Sequence, residues 1–177
     1  MTTDIAPAPA DLDLWQQVTD SYNGYIAARK RLFQQGPARV ALVRAGLRNP
    51  AQRGAALDVA ALLPAEEVQQ VLEELLALAS TVHGFTEAAR AIILRLPQDW
   101  LCANIPSYAE AILAHDDYEE YRGLLALYAA IDRTLAEQLA HRAAVHADSD
   151  IREAGNDFLQ QDARRDEVQA HIDSGHR

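Results

Sequence analysis

The chain has 177 residues, 49% of them hydrophobic, a length that suits one domain and lets folding bury about 70% of the unfolded chain's surface. Cys102 is the only cysteine, which excludes an intramolecular disulfide, and neither a secretory leader nor the ~18 to 20 apolar residues of a membrane span can be found, so a cytoplasmic protein is expected. The net charge of -10 is unevenly placed: residues 1–20 carry four acids and no base, 21–57 seven bases and no acid, and 58–177 nine bases and 22 acids, a balance that opposes nucleic acid and anionic membranes over most of the surface.

Residues 1–10, with Pro7 and Pro9 among alanines, have neither apolar periodicity nor a cap and are expected to be a disordered lead. From Asp11 the positions Trp15, Val18, Tyr22, Tyr25, Ile26, Arg29, Leu32 and Phe33 recur at helical spacing as far as Gly36-Pro37, which predicts a long first helix. Pro37 opens a second, with Val40, Val43 and Leu47 on one face, and Pro50 a third that ends at Pro64. Val68, Val71, Leu72, Leu75, Leu76 and Ala79 form the clearest stripe, predicting one continuous helix whose opposite, solvated face carries Glu66, Glu67, Gln69, Gln70, Glu73 and Glu74.

Thr86 is a candidate N-cap for a helix reaching Leu96. Pro106 is expected to divide the segment from Asp99 to His115, with a new helix starting at Ser107. Asp116 or Asp117 caps the next helix, whose stripe is Tyr118, Tyr121, Leu124, Leu125 and Tyr128, and a turn at Asp132 leads to another carrying Leu135, Leu139 and Ala143. A helix over 150–161 and a separate, weakly patterned one with Val168 and Ile172 complete the chain. The expected fold is therefore all-α: helical repeats over 11–161, as about five stacked hairpins, followed by a C-terminal helix and tail over 162–177.

Internal echoes support repetition. Arg53-Gly54-Ala55-Ala56-Leu57 is followed at a distance by Arg122-Gly123-Leu124-Leu125-Ala126, and Ile151-Arg152-Glu153-Ala154 follows the turn at Asp148 much as Arg53 follows the turn at Asn49. The segments Asn49-Pro50-Ala51-Gln52-Arg53-Gly54-Ala55-Ala56-Leu57 and Asp148-Ser149-Asp150-Ile151-Arg152-Glu153-Ala154 resemble the HEAT-repeat family, in particular the short bacterial type related to phycobilisome-lyase repeats. Gln52 departs from the apolar residue of that pattern, and the copy near Thr86 lacks the arginine. The resemblance implies an α-solenoid that holds a partner on the face lined by the second helix of each hairpin, and it transfers no catalytic residues. Its lyase branch implies, as a lesser alternative, a chromophore-attaching protein.

Residues that carry chemistry are few. His141 and His146, like His171 and His176, are five apart, a poor spacing for two imidazoles on one metal, for which one helix turn is wanted. Cys102 has no basic sequence neighbour to activate it. His115, Asp116 and Asp117 fit a cap and a last-turn cation. No nucleotide-binding or zinc-hydrolase motif occurs, so no catalytic residue, metal or cofactor is expected and the chain reads as a non-enzyme.

Two surfaces remain. On the second helices, Glu66, Gln70, Glu73, Glu74, Asp99, Glu110 and Glu137 would form an acidic groove with Trp100 and Tyr108 as aromatic anchors. Such a groove would bind a basic partner protein by steering and complementarity, as an immunity- or antitoxin-type inhibitor does. With Glu73 and Glu74 both on the polar face, replacing both by lysine should weaken that binding and spare the fold. The alternative is phosphate or nucleic-acid binding through the basic stretch 29–53, by Arg39, Arg44, Arg48 and Arg53. Only Lys30 among 16 basic residues is a lysine, and alanine is abundant, a codon signature of a GC-rich bacterial genome.

Overall fold

A computed structural model describes residues 8–34 and 38–174, with side chains to residue 164. Ten helices are seen: α1 (Pro9–Gln34), α2 (Ala38–Arg48), α3 (Arg53–Ala60), α4 (Ala65–Gln69), α5 (Leu72–Ala79), α6 (Thr86–Ile93), α7 (Gln98–Leu113), α8 (Tyr118–Ile131), α9 (Arg133–Ala144) and α10 (Ser149–Ser174). No strand occurs among the described residues. Most of the expected lead (1–7), the Gly36-Pro37 break and the side chains of Val168, His171, Ile172 and His176 lie outside the described residues.

The chain divides by its packing into Met1–Leu42 and Val43–Arg177. In the first unit α1 follows its predicted periodicity, yet none of its residues is buried. Local contacts hold it: Thr19 Oγ1 donates to the Trp15 carbonyl (2.6 Å), Gln16 to Asp20 (2.9 Å), and the Arg29 guanidinium lies 5.4 Å from the Tyr25 ring centroid. Arg39 lies 5.6 Å from the Phe33 ring centroid and donates to the Phe33 carbonyl at 3.2 Å.

In the second unit the main helix contacts join elements one to three apart in chain order. α5 contacts α6, α7 and α8; α3 contacts α6; α8 contacts α7 and α9; and α10 lies on both α8 and α9. Leu72, Leu75, Leu76, Ile93, Ile105, Leu124 and Leu127 are fully buried between them. Long side chains close helix ends across these contacts. Arg90 donates to the carbonyl of Ala79 (3.1 Å), Gln98 to Ile131 (2.8 Å), and Arg95 to Ala61, so carbonyls at helix ends are satisfied; Arg90 also reaches the Gly123 carbonyl within α8 (3.2 Å).

The two turns that resemble each other in sequence are built alike. The Asn49 side-chain oxygen accepts from Ala51 N–H (3.1 Å), and that of Asp148 from the N–H groups of Asp150 (2.8 Å) and Ile151 (3.1 Å). Four residues after each, an arginine returns to a carbonyl of the preceding helix end: Arg53 to Leu47 (3.1 Å) and Arg152 to His146 (2.7 Å). Arg39, six residues after Phe33, repeats this last bond. Arg122 does not: it stacks on Tyr118 at 5.4 Å, so the echo there is one of apolar pattern only.

Several expectations are corrected. The third helix starts at Arg53 and not at Pro50, because the Asn49 turn takes up residues 50–52. The stripe over 65–79 spans two helices. The ladder breaks at Gln70–Val71, where Val71 takes φ -113° and ψ 17°, and Arg44 donates to the Gln70 carbonyl that the break releases. Conversely, α7 runs unbroken through Pro106. Buried Leu101, Ile105, Ala109 and Ile112 hold one face in the core, offsetting the lost N–H, and side-chain bonds from Asn104 to the Trp100 carbonyl (2.8 Å) and from Ser107 Oγ to that of Asn104 (2.7 Å) flank the proline.

Thr86 is the first helical residue and not the cap; its buried hydroxyl accepts from His83 N–H (3.0 Å) and donates to the Thr81 carbonyl, tying down the preceding loop. Asp117 and Asp132 are true caps, each accepting at 3.0 Å from the third residue on. The expected last pair of helices is a single one, since neither Gly nor Pro occurs from 156 to 174.

Candidate functional site

The structure disperses the expected acidic surface. Glu74, expected on the solvated face, is only 7% exposed. Its Oε1 accepts from Arg48 at 2.5 Å and lies 3.5 Å from Arg44 Nε, and its Oε2 is buried with no hydrogen-bond partner. The cause is the break at Gln70, which rotates α5 relative to α4 and turns Glu74 toward α2. Glu73 remains exposed, as does Glu66, whose carbonyl accepts from the Gln70 side chain (3.1 Å).

Glu110 pairs with Arg142 of α9 (2.6 Å), and Glu137 with Arg133 (3.0 Å), which also holds Asp162 of α10 (2.9 Å). On α7, Asp99 and Tyr108 are exposed and Trp100 is half-buried. Glu73 and Glu74 line a cleft with Arg48 and Arg53, and Glu110 a separate hollow with Arg142.

The four arginines of the basic alternative are all engaged. Arg39 and Arg53 hold helix-end carbonyls, Arg44 holds the Gln70 carbonyl and the Glu74 carboxylate, and Arg48 holds Glu74. A cleft of about 320 Å³ lined by Leu47, Arg48, Arg53, Glu73, Glu74, Ala77 and Leu78 brings the acidic and basic candidates together, where their charges largely cancel.

Among the described residues no three His, Cys, Asp or Glu side chains converge as metal ligands would. His146 Nε2 lies 3.0 Å from Asp116, and His115 Nδ1 3.0 Å from Glu120. Burial, reinforced by the carboxylates of Asp132 and Asp99, pushes the Cys102 thiol up, away from nucleophilic thiolate character. A small hollow of about 150 Å³ beside Pro106, Glu110 and Arg142 includes Tyr128, whose buried hydroxyl has no partner and is pushed up by that burial.

A concavity of about 410 Å³ runs between α8 and α10. Tyr118, Arg122, Leu125, Ala126 and Ala129 line one side, at i, i+4, i+7, i+8 and i+11, and Ala154, Asp157, Phe158, Gln161 and Asp162 the other. Both sets follow from helical periodicity. The alanines at 126, 129 and 154 leave the space, Leu125 and half-buried Phe158 give an apolar floor, and Asp157 puts a carboxylate along the edge. Asp162 is held by Arg133 (2.9 Å), while Arg122 faces the groove from α8. Sequence reasoning placed Leu125 on a buried stripe and a helix over 150–161, and missed the groove. The signal that could have revealed it is the alanine stripe on two helices about 30 residues apart.

No membrane-spanning candidate occurs among the described helices: none is long and apolar enough. Comparison with family models, with characterised proteins and with solved structures gives no match to this chain.

Proposed function

We propose that this chain is a non-enzymatic protein-binding module, an α-solenoid of HEAT-like hairpins, and that the groove between α8 and α10 receives a segment of another protein carrying an apolar side chain flanked by basic ones. The observation that carries the reading is the groove itself: an apolar floor of Leu125, Ala126, Ala129 and Phe158 bordered by Asp157 on α10 and by Arg122, stacked on Tyr118, on α8, in a stretch where 22 acids face nine bases. An apolar anchor supplies affinity there and the acidic surroundings supply steering. An immunity- or antitoxin-type inhibitor, covering the basic surface of its target, is the narrower form of the same proposal.

Two further observations support the solenoid reading: the main helix contacts join elements no more than three apart in chain order, and the Asn49–Arg53 and Asp148–Arg152 turns share one bonding scheme. The phosphate alternative loses ground because the guanidinium donors of the basic stretch are directed at carbonyls and at Glu74.

The test is selection of displayed random peptides on the purified chain. Enrichment of an apolar residue next to Arg or Lys, abolished by Asp157→Arg or Phe158→Ser and weakened by salt, is expected. Enrichment of acidic peptides, or binding indifferent to both substitutions, overturns the proposal.

A further inference from the structure

α1 presents a seam that no residue of the helix buries: Trp15 is 66%, Val18 57% and Tyr22 61% exposed. With Asp11, Tyr25 and Arg29 these residues are spaced 4-3-4-3-4, the heptad spacing of a coiled-coil seam. Gly24 lies off this seam, and a Cβ added to it would meet nothing within 4 Å. The exposure is concentrated in the first two-thirds of the helix, since Tyr25, Ile26, Arg29, Leu32 and Phe33 are half-buried. A helix with a mid-helix glycine and no fully buried residue gains little from packing, which is what usually stabilises helices in proteins.

The order of the seam selects the partner. Reversed about residue 20, it maps onto itself: Asp11 falls opposite Arg29, Trp15 opposite Tyr25, and Val18 opposite Tyr22, each pair occurring twice. A parallel arrangement would set Asp11 against Asp11 and Arg29 against Arg29, which like-charge repulsion disfavours. The surrounding charge agrees, with Asp11, Asp13 and Asp20 in the first half of α1 and Arg29, Lys30 and Arg31 in the second.

We propose that α1 is a homodimerisation helix, pairing with α1 of a second copy in antiparallel register, with an isologous two-fold at residue 20. Asp11–Arg29 ion pairs close the two ends, and the aromatic layers between them supply the affinity. Arg29, already stacked on Tyr25 at 5.4 Å, is positioned along the seam for this role. The acidic first half of α1 disfavours an anionic membrane as the alternative cover.

The experiment is sedimentation equilibrium of the full chain from micromolar to hundreds of micromolar, with far-UV circular dichroism confirming that each variant stays folded. Wild type should be dimeric at the upper end. Tyr22→Glu should weaken the dimer at least ~30-fold, the size of one lost aromatic anchor. Asp11→Arg and Arg29→Asp should each weaken it, and the double variant Asp11→Arg/Arg29→Asp should restore it, which only the antiparallel register allows. A monomer at all concentrations, a double variant no better than the singles, or co-sedimentation of α1 with phosphatidylglycerol vesicles in place of dimer formation would each overturn the inference.

Discussion

Glu74 illustrates how one side chain can reverse a reading of a surface. Its carboxylate is shared between Arg44 and Arg48, whose own side chains are 39% and 64% exposed. Breaking a fully buried ion pair costs roughly 3–5 kcal/mol; with both arginines reaching solvent, Glu74→Ala should cost about 2 kcal/mol, against less than about 0.5 kcal/mol for Glu73→Ala on the exposed side. Urea unfolding of the two variants checks this, and equal stabilities would mean that Glu74 is solvated as the helical pattern suggested. Glu73→Lys with Glu74→Lys is accordingly expected to damage the fold, since it would set a buried lysine against two arginines.

Tyr128 makes the opposite case. It is 3% exposed and its hydroxyl has no partner, so the oxygen carries a desolvation cost with no bond to offset it. Tyr128→Phe removes that cost while keeping the ring, and should raise Tm by about 2–4 °C, the shift expected for ~1 kcal/mol at this chain length. A fall in Tm would show that the hydroxyl has an ordered water as its partner.

Among the elements, the crossing of α8 over the end of α5 sets the tightest constraint. A Cβ on Gly123 would lie 1.8 Å from the Ser80 carbonyl oxygen, and Ser80 is fully buried. Replacing a mid-helix glycine by alanine gains up to ~1 kcal/mol of helix propensity, but overpacking against backbone costs roughly 1–3 kcal/mol or more because no side chain can swing away. The clash wins: Gly123→Ala should lower stability by about 2 kcal/mol in chemical denaturation. Gly24→Ala, with open space around it, should instead gain up to about 1 kcal/mol.

Helix periodicity made α2, α6, α8 and α9 legible, together with their buried faces, because Gly, Pro and Asp separate them in sequence. The break within 65–79 was not, since Val68, Val71, Leu72 and Leu75 keep their period across it and its bonding partner, Arg44, is 26 residues away. Continuity through Pro106 was equally hidden, as it rests on the burial of Leu101, Ile105, Ala109 and Ile112 against other helices. The α8/α10 groove was illegible for the same reason: each wall is an ordinary helical face, and only their pairing makes a cleft.

At the scale of the whole molecule, the proposed solenoid makes a claim about cooperativity that a single enclosed core would not satisfy. α10 packs mainly on α8 and α9, with Ile151 fully buried and Gly155 so close to α9 that an added Cβ would lie 2.6 Å from the Ala140 carbonyl oxygen. In a stack of repeats, stability is a sum of unit and nearest-neighbour terms, so a chain ending at Ala147 should lose the α10 interface and keep the rest. Its circular dichroism should fall in proportion to the helix removed and its Tm should drop, but unfolding should remain cooperative, and peptide binding in the α8/α10 groove should vanish because one wall is gone. Loss of cooperative unfolding across the remaining helices of the second unit would instead mean that α3–α10 share one core, and the solenoid would have to be abandoned. The point variant Phe158→Ser separates the two proposals, since it leaves α10 in place: if it abolishes peptide binding with α3–α9 unchanged, the groove stands whatever the truncation shows.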